Sequence, residues 1–241
     1  MQNEWTKEKV ITQLALTREK GFIPVQSEMF RKDDGIVGQV LEREFGVKEN
    51  NLHLADLGTY ELKGMRIRKG RGNKVTLFHQ APERGLTTRE IFERFCYVRP
   101  SSRDGQLKRK LFTTVKGNRQ NNLGLILRGN SENAIDLYWQ DEYLSTWDLT
   151  SGKNKINQTI LALAETQGPV NSRYEHFHFV EAYLLSEPKD IGEAIRSGAV
   201  VVEFCVDQPA DERVAPHDRG PHVRIPFRNL NMLFGKIEQI L

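Results

Sequence analysis

Apolar and polar residues alternate at helical spacing in the first part of the chain, and glycine follows each helical segment. The segment from Thr6 to Lys20 is amphipathic and is followed by Gly21, which favours a helix stop. A second helix is predicted from Gly35 to Phe45, ending at Gly46. Four apolar residues fall broadly on one side of the first helix: Val10, Ile11, Leu14 and Leu16.

The remaining pattern is mostly that of strands, with three further helices. Runs of β-branched and aromatic residues predict strands at Glu61–Lys63, Val75–His79, Leu111–Val115, Leu123–Leu127, Ala134–Trp139, Tyr143–Leu149, Ile160–Glu165, His176–Leu185, Ala199–Val206 and His222–Pro226. Helices are predicted from the capping-box pair Thr87 and Glu90 to Cys96, at Asp190–Arg196 before Gly198, and at Leu230–Leu241. The mixture predicts an α+β fold built around a mixed β-sheet.

Length and composition favour a protein of the reducing cytoplasm. The chain has 241 residues, of which 38% are hydrophobic, so it can bury a large core. No stretch approaches the roughly 20 apolar residues of a membrane span, and the N-terminus lacks the pattern of a signal peptide. Cys96 and Cys205 lie far apart without metal-type spacing, which favours two ordinary thiols over a disulfide framework.

Positive charge is concentrated in two stretches, although the net charge is only +3. The first comprises Arg66, Arg68, Lys69, Arg71 and Lys74, and the second comprises Arg99, Arg103, Lys108, Arg109, Lys110, Lys116 and Arg119. Each stretch alone could be a solvated face. Together, following the candidate chemistry described next along the chain, they favour a track for phosphate groups, which supply most sequence-independent affinity for nucleic acids.

Two carboxylates and a lysine lie within eight residues, at Asp56, Glu61 and Lys63. In a strand, alternate side chains point to one face, so Glu61 and Lys63 would project together while Leu62 packs into the core. Asp56 precedes the strand near a turn marked by Gly58 and could fold back toward the same point. Two hard oxygen ligands suit Mg²⁺, and a nearby lysine could orient water or neutralise phosphate charge. This spacing also arises by chance in a chain that is 28% charged.

Further polar residues could support chemistry or recognition. Glu42, on the second predicted helix, is either an exposed surface residue or a third carboxylate behind the metal site. A stiff loop between prolines contains His217, Asp218, Arg219, His222 and Arg224, and His79 ends an earlier strand. Arginines beside the histidines argue against a metal site, and no Gly-x-Ser-x-Gly elbow supports a serine hydrolase. Arginine, aspartate and histidine suit the reading of base edges.

With these residues, the chain resembles a known family, the BcnI/MvaI/MutH-like group of PD-(D/E)XK nucleases, and most closely its BcnI-like type II restriction endonucleases. The matching segments are Met29–Gly35, Val37–Gln39, Leu41–Arg43, Asp56–Gly58, Glu61–Arg66, Thr76–His79, Lys110–Thr114, Asn121–Leu125, Gln140–Leu149 and Pro216–Pro226. The clearest departures lie around Arg66–Asn73 and Pro209–Ala215. Ala55 replaces the proline of the family motif, which costs little because that proline is not a ligand.

The resemblance implies a Mg²⁺-dependent monomer whose catalytic lobe (centred on residues 35–80) and recognition lobe (including 205–226) clasp double-stranded DNA as one compact chain. It implies that Asp56 and Glu61 bind Mg²⁺, that Lys63 assists the water, and that Glu42 supports the site. His79 and His222 would face the central base pair. The implied target is CCSGG (S is C or G), cut after the second C, one strand at a time. A cognate DNA methyltransferase would be a genetic partner.

Several alternatives stay open from the sequence. CCWGG (W is A or T) is the nearest rival target, and a nickase or repair endonuclease of the MutH type would share the same chemistry. A DNA-binding module without catalysis is a third reading, although the intact set of Asp56, Glu61 and Lys63 argues against it. A basic structural protein of RNA particles would leave these carboxylates unexplained.

Overall fold

The structure is a computed structural model of the chain and describes residues 5–26, 33–47, 55–67, 73–101, 105–131, 133–209, 214–218 and 220–241. The chain separates into two compact units. Unit 1 comprises residues 1–75, 154–188 and 234–241, and unit 2 comprises residues 76–153 and 189–233. None of the described helices is long and apolar enough to cross a membrane.

Three of the six described helices begin at residues whose side chains cap the first turn. They are α1 (Lys7–Glu19), α2 (Ile36–Glu44), α3 (Thr88–Phe95), α4 (Thr150–Lys155), α5 (Ile191–Arg196) and α6 (Leu230–Leu233). Thr6 caps α1, Asp190 caps α5, and Thr87 and Glu90 form the predicted capping box of α3. The hydrogen bond that Glu90 accepts from the Thr87 backbone lowers the pKa of the Glu90 carboxyl. The predictions of α1, α2, α3 and α5 are therefore confirmed.

Fifteen strands are present in the described chain, and most follow the predicted runs. They are β1 (Ile23–Pro24), β2 (Glu61–Arg66), β3 (Lys74–His79), β4 (Arg84–Gly85), β5 (Tyr97–Pro100), β6 (Leu107–Val115), β7 (Leu125–Ser131), β8 (Ala134–Trp139), β9 (Glu142–Asp148), β10 (Gln158–Gln167), β11 (His176–Pro188), β12 (Val201–Pro209), β13 (His217–Asp218), β14 (His222–Pro226) and β15 (Phe234–Gln239). The sequence patterns did not predict the short strands β1, β4, β5 and β13 or the helix α4.

Unit 1 contains a five-stranded mixed sheet with the order β1–β11–β10–β2, and β15 pairs with β11. Strand β2 runs parallel to β10, whereas β11 is antiparallel to it. One face of this sheet, including Leu62 and Ala162, packs with the apolar side of α2 in a single core cluster. The predicted α+β fold with a mixed sheet is confirmed, and β2 lies at an edge of that sheet.

Unit 2 contains two further sheets. A six-stranded sheet has the order β3–β14–β12–β6–β5, with β13 paired to β12, and a four-stranded antiparallel sheet has the order β4–β9–β8–β7. In β12, Val202, Phe204 and Val206 are almost fully buried, so this face of the strand forms core. Glu203 and Asp207 lie on the opposite face because side chains alternate along a strand.

The predicted helix at Leu230–Leu241 is wrong. Helix α6 ends at Leu233, and the chain continues as β15, which pairs with β11 from Phe234 opposite Pro188 to Gln239 opposite Tyr183. Pairing with β11 satisfies the backbone groups of β15, and this tertiary contact outweighs the local helical pattern. In α1, the predicted apolar face is wrong at Leu16, which is 49% exposed.

Candidate active site

The chain before β2 folds back onto the start of that strand. Gly58 has a φ of 79°, a left-handed conformation that favours glycine, and it makes an isolated bridge with Ala55. This turn places Asp56 so that its Oδ2 accepts a hydrogen bond of 2.8 Å from the backbone N–H of Leu62. The Asp56 carboxylate thus returns to the strand, and its convergence with Glu61 and Lys63 on one point stays a prediction.

Glu61 and Lys63 project together from β2, as predicted. Lys63 Nζ donates to Glu61 Oε1 at 2.5 Å, and Leu62 between them is only 2% exposed, within the core cluster. The Glu61 side chain is 7% exposed and that of Lys63 is 23% exposed. The pair therefore sits in a sheltered position, where an electrostatic interaction is stronger than in open water.

Thr159 lies next to this pair. It is the register partner of Glu61 in the parallel ladder between β10 and β2, so the two side chains share a face of the sheet. Neighbouring strands lie about 4.8 Å apart. Thr159 is 1% exposed, and its Oγ1 has no hydrogen-bond partner among the residues that the structure describes. A buried hydroxyl without a partner beside a carboxylate is a feature that a hydrated ligand would satisfy.

The donor set of Asp56 and Glu61 fits a hard divalent cation. The contacts described above use Asp56 Oδ2 and Glu61 Oε1. Within the described ranges, the other oxygens, Asp56 Oδ1 and Glu61 Oε2, make no hydrogen bond or ion pair. Mg²⁺ takes only one or two protein carboxylates and keeps several waters. No group of three or more His, Cys, Asp or Glu suited to a metal occurs in the described part of the chain. The fit therefore rests on two carboxylates.

Glu42 lies on α2, which packs against the other face of β2. A Cβ added at Gly64 would lie 2.8 Å from Val37 O, so the glycine allows this close approach of helix and strand. Gly64 and Leu62 share the core face, whereas Glu61 and Lys63 point to the opposite face. The structure does not gather Glu42 with the other carboxylates into a metal group, and its supporting role stays a prediction.

Arg66 is not part of a phosphate track, and this part of the charge interpretation is wrong. Its guanidinium is 4% exposed and donates to both oxygens of Glu175, at 2.7 Å from Nε and 2.8 Å from Nη2. It also donates to Asp34 and Asn171, both at 2.9 Å. The charge of Arg66 is thus compensated inside unit 1. Arg68, Lys69, Arg71, Arg103 and Arg219 lie outside the described residues.

One face of the six-stranded sheet in unit 2 carries several of the predicted DNA-binding residues. Glu203 is paired in register with His222, and Asp207 is paired with both His217 and Lys110. Opposite residues in an antiparallel pair share a face, and so do alternate residues along a strand. Lys110, His217, His222 and Arg224 therefore project from the same face, which we call the recognition face.

His79 and His222 are in contact at the end of β3, within unit 2. Their rings meet edge to face, with centroids 4.3 Å apart at 70°. His222 is 6% exposed, whereas His79 is exposed. The backbone N–H of Gln80 donates to Pro221 O at 3.2 Å, which ties β3 to the start of β14. The structure thus brings together the two histidines that the family resemblance assigned to one base pair.

The loop residues differ in their exposure. His217 is 67% exposed and its Nδ1 lies 3.7 Å from Asp207 Oδ1. Asp218 accepts a hydrogen bond of 2.8 Å from the Gly220 backbone N–H, so part of its carboxylate maintains the turn. Arg224 donates to Glu203 Oε2 at 2.7 Å and to Thr76 Oγ1 at 3.0 Å. Arg224 is therefore held by neighbouring strands.

The residues of the second basic stretch differ in whether a carboxylate compensates their charge. Arg109 pairs with Glu93, and this hydrogen bond raises the pKa of the Arg109 guanidinium. Lys110 Nζ donates to Pro100 O at 3.1 Å on an exposed surface. Arg119 is exposed and Lys116 is half-buried in the turn between β6 and β7. The role of Lys110, Lys116 and Arg119 as phosphate contacts stays a prediction, whereas the charge of Arg109 is compensated by Glu93.

Glu203 and Glu175 were missed from the sequence. Both are buried acidic residues, with 8% and 0% exposure. Glu203 follows Val200-Val201-Val202 in a strongly apolar strand, and an acidic residue in such a run was a usable signal for a paired carboxylate. Glu175 had no such local signal, because its partner Arg66 lies 109 residues away.

Comparison with solved structures gives a match over nearly the whole chain. The structure titled "Restriction endonuclease MvaI-cognate DNA substrate complex" superposes with a TM-score of 0.75 and 16% identity, covering 98% of this chain and 100% of that one. The structure titled "Restriction endonuclease MvaI in the absence of DNA" has a TM-score of 0.49 at 16% identity, with both chains fully covered. A search of curated proteins finds no match.

The match to a family model shows more than the structural match, because it identifies the family as well as the fold. At 16% identity, the superposition shows a shared fold and leaves activity to other evidence. The model of the MvaI/BcnI restriction endonuclease family matches residues 11–234, which include the site on β2 and the recognition face. The chain therefore belongs to the MvaI/BcnI restriction endonuclease family.

Proposed function

We propose that this type II site-specific endonuclease hydrolyses phosphodiester bonds of double-stranded DNA at CCSGG, cutting after the second C, one strand at a time and with Mg²⁺. The observation that carries the catalytic part is the sheltered pair of Glu61 and Lys63, with the Asp56 carboxylate returned to the same strand. The match to a fold solved with cognate DNA supports duplex DNA as the substrate. We expect a monomer whose cognate DNA methyltransferase is a genetic partner.

Each residue of the site has a separate task in this proposal. Asp56 and Glu61 would hold Mg²⁺, which would activate water and offset charge on the phosphate. The hydrogen bond from the Leu62 N–H fixes the Asp56 carboxylate. Lys63 Nζ, held by Glu61, would donate N–H groups to the attacking water or to a phosphate oxygen. Glu42 would support the site from α2.

The base preference is assigned to the two histidines. His79 and His222 lie in ring contact, and His222 projects from the recognition face, which also carries Arg224. The central pair of CCSGG is C·G or G·C, so a reader must accept cytosine N4 as donor and guanine N7 or O6 as acceptor. A histidine can donate or accept, depending on its tautomer and protonation, which fits this requirement better than a residue of fixed polarity.

The proposal is tested by digesting a plasmid of known sequence with the purified protein and Mg²⁺, and by sequencing the ends. We expect linear product without partner proteins, ends at CCSGG after the second C, and loss of cutting with a chelator. Ends at CCWGG would reject the target and keep the chemistry. Product that stays nicked would indicate a MutH-type nickase, and intact plasmid bound by the protein would indicate a module without catalysis.

The histidine assignment has its own test. His222→Ala is expected to weaken the preference for CCSGG over CCWGG duplexes while metal-dependent nicking stays detectable, because the central pair loses its reader. His176→Ala is the matched control, since His176 lies in unit 1 and its Nδ1 contacts Tyr174 O at 2.9 Å. An unchanged preference in His222→Ala would reject the assignment.

A further inference from the structure

A row of polar side chains crosses four neighbouring strands of the six-stranded sheet. Thr114 on β6 donates to Glu203 Oε1 at 2.8 Å, and Arg224 Nη1 on β14 donates to Glu203 Oε2 at 2.7 Å. Arg224 Nε then donates to Thr76 Oγ1 on β3 at 3.0 Å. Glu203 is also the register partner of His222. The Glu203 carboxylate therefore binds one predicted base-reading residue, Arg224, and Glu203 lies opposite a second, His222, in the strand register.

The row fixes the direction of the Arg224 guanidinium. The Glu203 side chain is 10% exposed and that of Arg224 is 27% exposed, so both are sheltered while the arginine still reaches the surface. Nε and Nη1 are held, whereas Nη2 has no hydrogen-bond partner within the described ranges. The remaining N–H groups of Nη2 and Nη1 make the end-on fork that recognises guanine O6 and N7.

The ion pair with Glu203 favours binding of Arg224 to a base over binding to phosphate. An uncompensated arginine on a DNA-facing surface attracts any phosphate, which adds affinity without sequence information. The Glu203 carboxylate at 2.7 Å offsets this attraction and leaves directional hydrogen bonds. A carboxylate on such a face would otherwise repel the DNA backbone, so its pairing with Arg224 removes that cost as well.

We propose that Glu203 is a positioning residue for sequence recognition, which holds Arg224 so that its outer N–H groups read a guanine of the target. Thr114 and Thr76 complete the support by holding the other ends of the row. The inference rests on the proposed function, because it requires the recognition face to contact the DNA target. Glu203 would thus contribute to sequence recognition without contacting a base itself.

The test compares Glu203→Gln with the wild type on duplexes that carry the mapped target, and on duplexes in which one G·C pair is replaced. We expect cleavage discrimination to fall about tenfold, the loss associated with one misaligned bidentate contact. Non-specific binding should rise and become more salt-dependent, because Arg224 is no longer offset. Glu193→Gln is the matched control, since Glu193 pairs with the exposed Arg196 at 2.9 Å in the same unit.

A second set of variants separates positioning from folding. In an Arg224→Ala background, Glu203→Gln should change discrimination no further, because the residue that it positions is gone. Thr76→Val, which removes only the contact to Arg224 Nε, should lower discrimination in the same direction and by less. Equal slowing of all duplexes by Glu203→Gln, or additive effects of the two changes, would overturn the inference.

The failure of this inference is distinct from the failure of the proposed function. If the wild type cuts its mapped target and Glu203→Gln keeps full discrimination, only the positioning role is rejected. If the wild type cuts no duplex, the proposed function is rejected and the inference falls with it.

Discussion

Glu175→Gln tests the buried ion pair at the end of β2. Glu175 is fully buried, and each of its two oxygens accepts an N–H from Arg66, whose side chain is 4% exposed. A glutamine has one acceptor oxygen, so it cannot receive both N–H groups and it leaves the arginine charge uncompensated on that side. Asp34 at 2.9 Å remains, but its side chain is 61% exposed.

The expected loss follows from burial. Breaking a buried pair costs about 3–5 kcal/mol, and the remaining Asp34 contact favours the lower end. In a chain of this size each kcal/mol lowers the midpoint by about 2–4 °C, so about 3 kcal/mol corresponds to about 6–12 °C. Thermal unfolding followed by circular dichroism measures this shift. If the two units unfold separately, only the transition of unit 1 should move.

Glu142→Gln is the matched control. Glu142 also accepts two N–H groups from one arginine, Arg94, with both distances 2.6 Å, but the two side chains are 51% and 34% exposed. Solvent screens an exposed pair, so its midpoint should stay close to that of the wild type. Equal midpoints for Glu175→Gln and Glu142→Gln would refute the argument from burial.

Two further predictions concern single hydroxyl groups. Thr159→Val should raise the thermal midpoint, because a buried unpaired hydroxyl costs about 1–3 kcal/mol; a lowered midpoint would show that Oγ1 has a partner. Thr87→Ala should destabilise α3 by about 1 kcal/mol in denaturant unfolding at neutral pH. Because the pKa of the Glu90 carboxyl is lowered, the stability that its hydrogen bonds with Thr87 contribute is present above the ordinary carboxyl pKa. This stability is lost as pH falls through the lowered pKa. Thr87→Ala keeps the hydrogen bond from the backbone N–H to Glu90 and removes the one from Thr87 Oγ1. The part of the difference from wild type that comes from Oγ1 and the Glu90 carboxylate should therefore be lost in acid, and a constant difference would contradict this.

Local signals in the sequence accounted for much of the fold. Thr6, Thr87 and Asp190 marked helix starts because their side chains can satisfy backbone N–H groups of the first turn. The motif of Glu61 and Lys63 also followed from a local rule, since alternate residues of a strand share a face.

Features that depend on distant partners escaped prediction. Strand β15 forms because β11 offers backbone hydrogen bonds, and the segment alone gave no sign of that pairing. Arg66 looked like a surface cation within a basic run, yet its partner Glu175 lies 109 residues away. The Arg224 side chain was predicted to read bases, but its anchoring by Glu203 required the register of β12 and β14.

Single-turnover cleavage of the mapped duplex by Lys63→Ala in Mg²⁺ tests whether the active site lies on β2. We expect cleavage to fall about 100-fold or more while DNA binding is retained, because Lys63 is proposed to act on the reacting groups. Lys7→Ala, which removes a lysine paired with Glu238 at 2.6 Å in unit 1, should cleave like the wild type. Unaltered cleavage by Lys63→Ala would contradict the assignment of the active site to β2.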